Sequence, residues 1–251
     1  MNSQHSFEFA GADGKLIRGD RVIGKDRQIL FITGFLSKRW GNKSKALVQW
    51  CEEKGWGFCC YDVRGFGDSE GRFIDYTLSD WIADARAVLS MLKNGPPVTI
   101  VGNSLGGWIA WLMAQEYEQI ERLILIAPAF NMMGVRARSI SEERQHAWHT
   151  AGWMPWDDDT LHRDWPLSWK WVEESEAYWK NTFDRLRHVR TTILHGLQDG
   201  VILPGGSKQF VEQLLTKDGS FPVELNLIPG DHRLGSPDNM EQFHQLIVGQ
   251  P

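Results

Sequence analysis

The chain has 251 residues, 42% hydrophobic and 24% charged, with a formal net charge of −5. That fits one globular domain with a sizeable core and room for an inserted subdomain. The acidic balance and the lack of a long basic block exclude a nucleic-acid partner. No apolar run reaches the roughly 20 residues that span a bilayer, and Met1–Ser6 has no basic-then-apolar signal layout. The expectation is a soluble, cytoplasmic protein of open oligomeric state.

In chain order, Phe7–Phe9 and Lys15–Val22 read as strands joined across Gly11-Ala12-Asp13-Gly14, a hairpin. Gln28–Thr33 holds four consecutive apolar residues, the pattern of a strand covered on both faces. Ala46, Leu47, Trp50 and Cys51 recur at helical spacing, and Gly57–Tyr61 is the next strand. Leu78, Trp81, Ile82, Ala85, Val88, Leu89 and Leu92 mark an amphipathic helix. Val98–Val101, Arg122–Ala127, Thr191–Leu194 and Pro222–Ile228 are further strands, with helices over 105–116, 206–215 and 239–247. The alternation predicts an α/β sandwich on a mainly parallel sheet of about eight strands, the first pair antiparallel.

Cys51, Cys59 and Cys60 are an odd number without metal-ligand spacing. Cys59 and Cys60 adjoin in a strand, so their side chains face opposite ways. They read as reduced, buried thiols.

Residues 128–188 break the rhythm. Seven of the thirteen tryptophans fall here: Trp148, Trp153, Trp156, Trp165, Trp169, Trp171 and Trp179. A structureless loop of this length is unusual, so a small helical lid is expected over 128–188, with 1–127 and 189–251 forming the core. Its place in the chain puts it over the C-terminal edge of the sheet, where ligands bind in open α/β folds. Trp153 and Trp156 are candidate pocket-wall residues. The alternative is that the tryptophans simply pack the lid onto the core.

The chemistry concentrates at Gly102-Asn103-Ser104-Leu105-Gly106-Gly107, between a strand pattern and a helix pattern. Gly-x-Ser-x-Gly in that setting is the layout of a nucleophile elbow, which presents a serine hydroxyl beside free helix N–H groups. A serine hydroxyl needs a base, and the base needs an orienting acid. Thr192–Asp199 is a strand running into His195-Gly196-Leu197-Gln198-Asp199, and His232 follows the last strand, so the order is Ser104, Asp199, His232. Asp231 adjoins His232, but sequence neighbours rarely meet in the required geometry, so Asp199 is the candidate acid. His195 reads as structural, bonding nearby backbone, and His146, His149, His162, His188 and His244 read as surface residues. The backbone N–H of Leu105 is one candidate oxyanion donor, and Phe35, in the turn Thr33-Gly34-Phe35-Leu36-Ser37, supplies the second. Phe35 also joins the candidate substrate contacts. No His or carboxylate cluster has metal-ligand spacing, so neither metal nor cofactor is expected.

With Tyr61-Asp62-Val63-Arg64-Gly65-Phe66-Gly67-Asp68-Ser69 added to these motifs, the chain resembles the α/β-hydrolase superfamily from about residue 15 to its end. The resemblance implies an α/β-hydrolase fold, and it makes Arg64 a brace for loops near the elbow. Two departures stand out: Thr33-Gly34 replaces the His-Gly common at the oxyanion loop, and Asp199–Pro204 is one residue longer than usual. Only a backbone N–H is used at the first. Within the superfamily, the Thr-Gly-Phe-Leu-Ser loop and the Ser-Leu-Gly-Gly-Trp elbow are similar to small abhydrolase-type serine esterases and acyl-protein thioesterases. The expected activity is a serine carboxylesterase acting on small to medium acyl or aryl esters through acyl-Ser104. A thioesterase with the same triad is the alternative, and a non-catalytic binding protein the remote one.

Overall fold

The computed structural model describes residues 4–155 and 165–249. The expectations placed on Trp156 and His162 lie outside the described residues. β1 (Gln4–Ala10) and β2 (Leu16–Val22) form the predicted antiparallel hairpin. Then follow β3 (Gln28–Ile32), α1 (Asn42–Lys54), β4 (Gly57–Asp62), α2 (Leu78–Met91), β5 (Val98–Asn103), α3 (Leu105–Glu116) and β6 (Ile120–Ile126). After them come α4 (Met132–Ser139), α5 (Glu142–Ala151), β7 (Trp153–Pro155), β8 (Pro166–Ser168) and α6 (Trp169–Lys180). β9 (Arg190–Gly196), α7 (Pro204–Lys217), β10 (Val223–Ile228) and α8 (Pro237–Val248) complete the chain.

Eight strands make one sheet in the order β1-β2-β4-β3-β5-β6-β9-β10. β2 is antiparallel to both β1 and β4, and the other pairings are parallel. This is the α/β-hydrolase fold. Alternation along the strands sorts side chains into two cores. Leu30, Ile32, Cys59 and Ile100 face the layer of Trp81, Trp108 and Phe210. Ile29, Phe31, Cys60 and Val101 face Leu47, Cys51, Phe243 and Ile247 on α1 and α8. The opposite orientations of Cys59 and Cys60 follow from that alternation, and all three thiols are free and buried.

Local chemistry sets the helix starts. Asp80 accepts the Thr77 N–H at 2.9 Å, satisfying the entry to α2. α7 and α8 begin earlier than the apolar period indicates, because Pro204 and Pro237 occupy their first turns, where a missing N–H costs nothing. Ser236 caps α8 by accepting the Asn239 N–H at 3.2 Å.

Between β6 and β9, where a small helical lid is expected, the described residues hold a two-stranded sheet beside their helices. β7 and β8 pair antiparallel, with buried Met154 opposite buried Leu167. Three-residue strands bounded by Pro155 and Pro166 are too short to show a period, so the pattern hid them. No helix among the described residues is long and apolar enough to cross a membrane.

Candidate active site

Ser104, Asp199, His232 and Phe35 all follow the C-terminal ends of parallel strands: β5, β9, β10 and β3. The sheet therefore gathers them at one edge. At the elbow the backbone dictates the residues. A Cβ on Gly102 would lie 2.5 Å from the Gly106 carbonyl oxygen, and one on Gly106 would lie 2.2 Å from that of Ile32. Ser104 itself takes φ 53° and ψ −119°, a conformation costing about 1–3 kcal/mol. The surroundings hold it: its N–H donates to Ile126 O at 2.8 Å, and its carbonyl accepts from Gly107 at 2.9 Å and Ala129 at 3.0 Å.

His232 bridges the other two candidates. Its Nε2 stands 3.2 Å from Ser104 Oγ, and its Nδ1 stands 2.7 Å from Asp199 Oδ2. Asp199 Oδ1 accepts the N–H groups of Val201 at 2.9 Å and Ile202 at 2.8 Å. Burial works to raise the Asp199 carboxyl, but hydrogen bonds from His195, His232 and the Ile202 backbone hold it well below the usual carboxylate range. Asp231 is committed elsewhere. Its Oδ1 accepts the N–H of Arg233 at 3.0 Å and of Leu234 at 3.1 Å, shaping the loop that carries His232.

His195 contributes more than the backbone contact expected of it. Its Nε2 lies 2.8 Å from Ile202 O and 3.1 Å from Asp199 Oδ2, and its Nδ1 lies 2.8 Å from Ser207 Oγ. Two acceptors face Nε2, so that nitrogen carries the proton and Nδ1 accepts from Ser207. Buried His195 thus donates to the same carboxylate oxygen that His232 uses. The signal was in plain view, since the spacing from His195 to Asp199 spans one tight turn. Only the fold shows that the turn aims both side chains inward.

Leu105 opens α3, so its N–H has no acceptor within the helix. The loop after β3 closes through Ser37 N–H donating to Gly34 O at 3.2 Å, with Leu36 at φ 53°. A Cβ on Gly34 would lie 3.1 Å from Ser104 Cβ, which brings Phe35 alongside the elbow. The Phe35 ring sits 5.3 Å from Trp171, 5.5 Å from Phe73 and 5.9 Å from Phe66.

A cleft of about 1010 Å³ opens over these groups, lined by Phe35, Leu36, Asn103, Ser104, Met132, Ile202 and His232 among others. Trp153 is not in its wall; the residue is 53% exposed on β7. Most of the described tryptophans of 128–188 pack the segment together or onto the core. Trp171 meets Trp81 at 4.8 Å, Trp165 meets Phe73 at 5.2 Å, and Trp148 meets Trp169 at 5.4 Å. Arg64 joins the hairpin turn to α2, through Asp13 at 2.9 Å and Asp84 at 2.7 Å. The wall also includes Lys43 at the start of α1 and Arg233. Sequence reasoning missed both, since a lysine on an amphipathic helix reads as solvated. Among the described residues, no three His, Cys, Asp or Glu side chains gather to hold a metal ion.

The comparisons with known proteins agree with this architecture. The hydrolase family model described as serine aminopeptidase, S33, matches residues 25–156. Mouse mitochondrial palmitoyl-protein thioesterase ABHD10 is 26% identical over 216 residues, covering 85% of this chain and 71% of its own. The solved structure of the mouse protein superposes with a TM-score of 0.81 at 24% identity, covering 98% of this chain and 97% of that one. A putative hydrolase from Agrobacterium vitis gives a TM-score of 0.85 at 23% identity, covering 99% and 98%. Est1E from Butyrivibrio proteoclasticus, solved with ferulic acid bound, gives 0.79 at 22%, covering 97% and 98%. The chain is a hydrolase, and it belongs to the serine aminopeptidase S33 family of α/β hydrolases.

Proposed function

We propose that the protein is a serine carboxylesterase working through an acyl-Ser104 intermediate. The observation that carries this reading is the continuous hydrogen-bonded path from Ser104 Oγ through His232 to Asp199, opening on the cleft. His232 Nε2 takes the Ser104 proton as the oxygen attacks the ester carbonyl, and returns it to the leaving alcohol. Asp199 keeps the proton of His232 on Nδ1 and stabilises the imidazolium. The N–H groups of Leu105 and Phe35 receive the oxyanion. Water then enters with His232 as base and releases the acid. The described residues between β6 and β9 act as a lid over this edge, with Met132 contributing to the cleft wall. The free thiols fit a reducing compartment such as the cytoplasm.

Thioester hydrolysis is the second reading, favoured by the similarity to palmitoyl-protein thioesterase ABHD10. It uses the same groups with a thiolate leaving. A fluorophosphonate probe is expected to label Ser104, and labelling at another residue overturns the assignment. Matched oxygen and sulfur esters of several acyl lengths, compared by kcat/KM, separate the two readings.

A further inference from the structure

Lys43 is a cation in an unfavourable place. It is half-buried in the cleft wall. It also stands in the first turn of α1, where the helix dipole disfavours positive charge. Its ammonium has three protons to donate, and the one acceptor it meets among the described residues is the carbonyl oxygen of Arg233. Asp231 reaches it only through space, because no carboxylate of the described residues forms an ion pair with it. Burial accordingly pulls the amine down to about 8. Buried charges are ordinarily paired, and a charge left unpaired in a cleft marks a place for a ligand. Lys38 and Arg233 line the same cleft, and Asp231 is the carboxylate among its described lining residues, in a chain whose net charge is negative. The Gly41 cap of α1 offers no side-chain acceptor, and its end opens on the same wall.

The position of this wall fixes which part of a substrate would reach it. Arg233 follows His232 directly, and Lys43 bonds the Arg233 carbonyl. Both therefore stand on the His232 side of the cleft, the side on which His232 hands its proton to the leaving group. We propose that Lys43 and Arg233 form a subsite for an oxyanion, carboxylate or phosphate, carried on the leaving-group half of the substrate. The proposal rests on the acyl-Ser104 reading and adds the substrate class.

Three acetate esters test it: 4-acetoxybenzoate, 4-acetoxyphenyl phosphate and the uncharged methyl 4-acetoxybenzoate. The readout is the ratio of kcat/KM for each anion to that of the neutral ester, because comparing one ratio between variants cancels leaving-group reactivity. Replacing Lys43→Met together with Arg233→Met is expected to lower the ratio about tenfold or more, and Lys43→Arg is expected to keep it. The two anions separate carboxylate from phosphate preference. A ratio unchanged in the double variant overturns the subsite. Turnover of none of the esters by the unaltered protein overturns the esterase reading instead. Calorimetric binding of 4-hydroxybenzoate then decides the subsite by itself: binding lost in the double variant supports it, and no binding by the unaltered protein sinks it.

Discussion

The elbow and the inserted segment reach the same cleft by opposite means. At the elbow, backbone is packed on backbone: Gly102 and Gly106 have no room for a side chain, and Ser104 is held at positive φ by three main-chain hydrogen bonds. Between β6 and β9 the segment is held largely by aromatic side chains, with Trp171 against Trp81 and Phe35. Main-chain geometry tolerates few substitutions, whereas a packed aromatic surface can be rebuilt from other large residues. On the proposed reading, the chemistry sits where main-chain packing fixes the backbone, and a segment that can be rebuilt lies over it.

Substitutions can break this contrast. Ser104→Ala is expected to remove roughly a millionfold of kcat, read with p-nitrophenyl esters, with the melting temperature unchanged; near-normal turnover would place the nucleophile elsewhere. Asp199→Asn is expected to cost about ten-thousandfold in kcat, and Asp231→Asn far less, since the Asp231 carboxylate is spent on loop N–H groups. The reverse ranking would exchange the acids.

The inserted segment is sharpened by a pair. Trp171→Ala removes a fully packed indole and is expected to destabilise by about 3–5 kcal/mol in denaturant melts. Trp153→Ala, at a half-exposed position, is expected to stay within about 0.5 kcal/mol. Equal losses would mean that Trp153 has a partner of comparable weight.

The smallest effect is a pH slope. Asp199 has its folded-state carboxyl depressed, so its contribution to stability is full above the ordinary carboxylate range. That contribution is lost as pH falls through the depressed value. Acid-side melting of Asp199→Asn is expected to fall less steeply than that of the unaltered chain, and identical slopes would remove the carboxylate from the stability balance.

Much of this was legible in the chain. Strands such as β3 and β5 announce themselves because a strand buried on both faces must be continuously apolar, and α2 because its buried face recurs at the helical period. Ser104, Asp199 and His232 could be named because each closes a strand of recognisable pattern and the chemistry demands those types in concert. β7 and β8 could not be read, being too short for a period. The substrate role expected of Trp153 had only composition behind it, and the fold turns that indole outward.

What the sequence alone determined is the chemistry available at the sheet edge, because strand periodicity and the steric needs of the elbow are local. What only tertiary structure decided is partnership. One Asp199 oxygen is shared by His195 and His232, Asp231 turns to its own loop, and Lys43 meets Arg233 in the cleft wall. The pairings of His232 with Asp199 and of Lys43 with Arg233 join segments far apart in the chain. Their distances depend on the packing of the whole sheet, which no local spacing encodes.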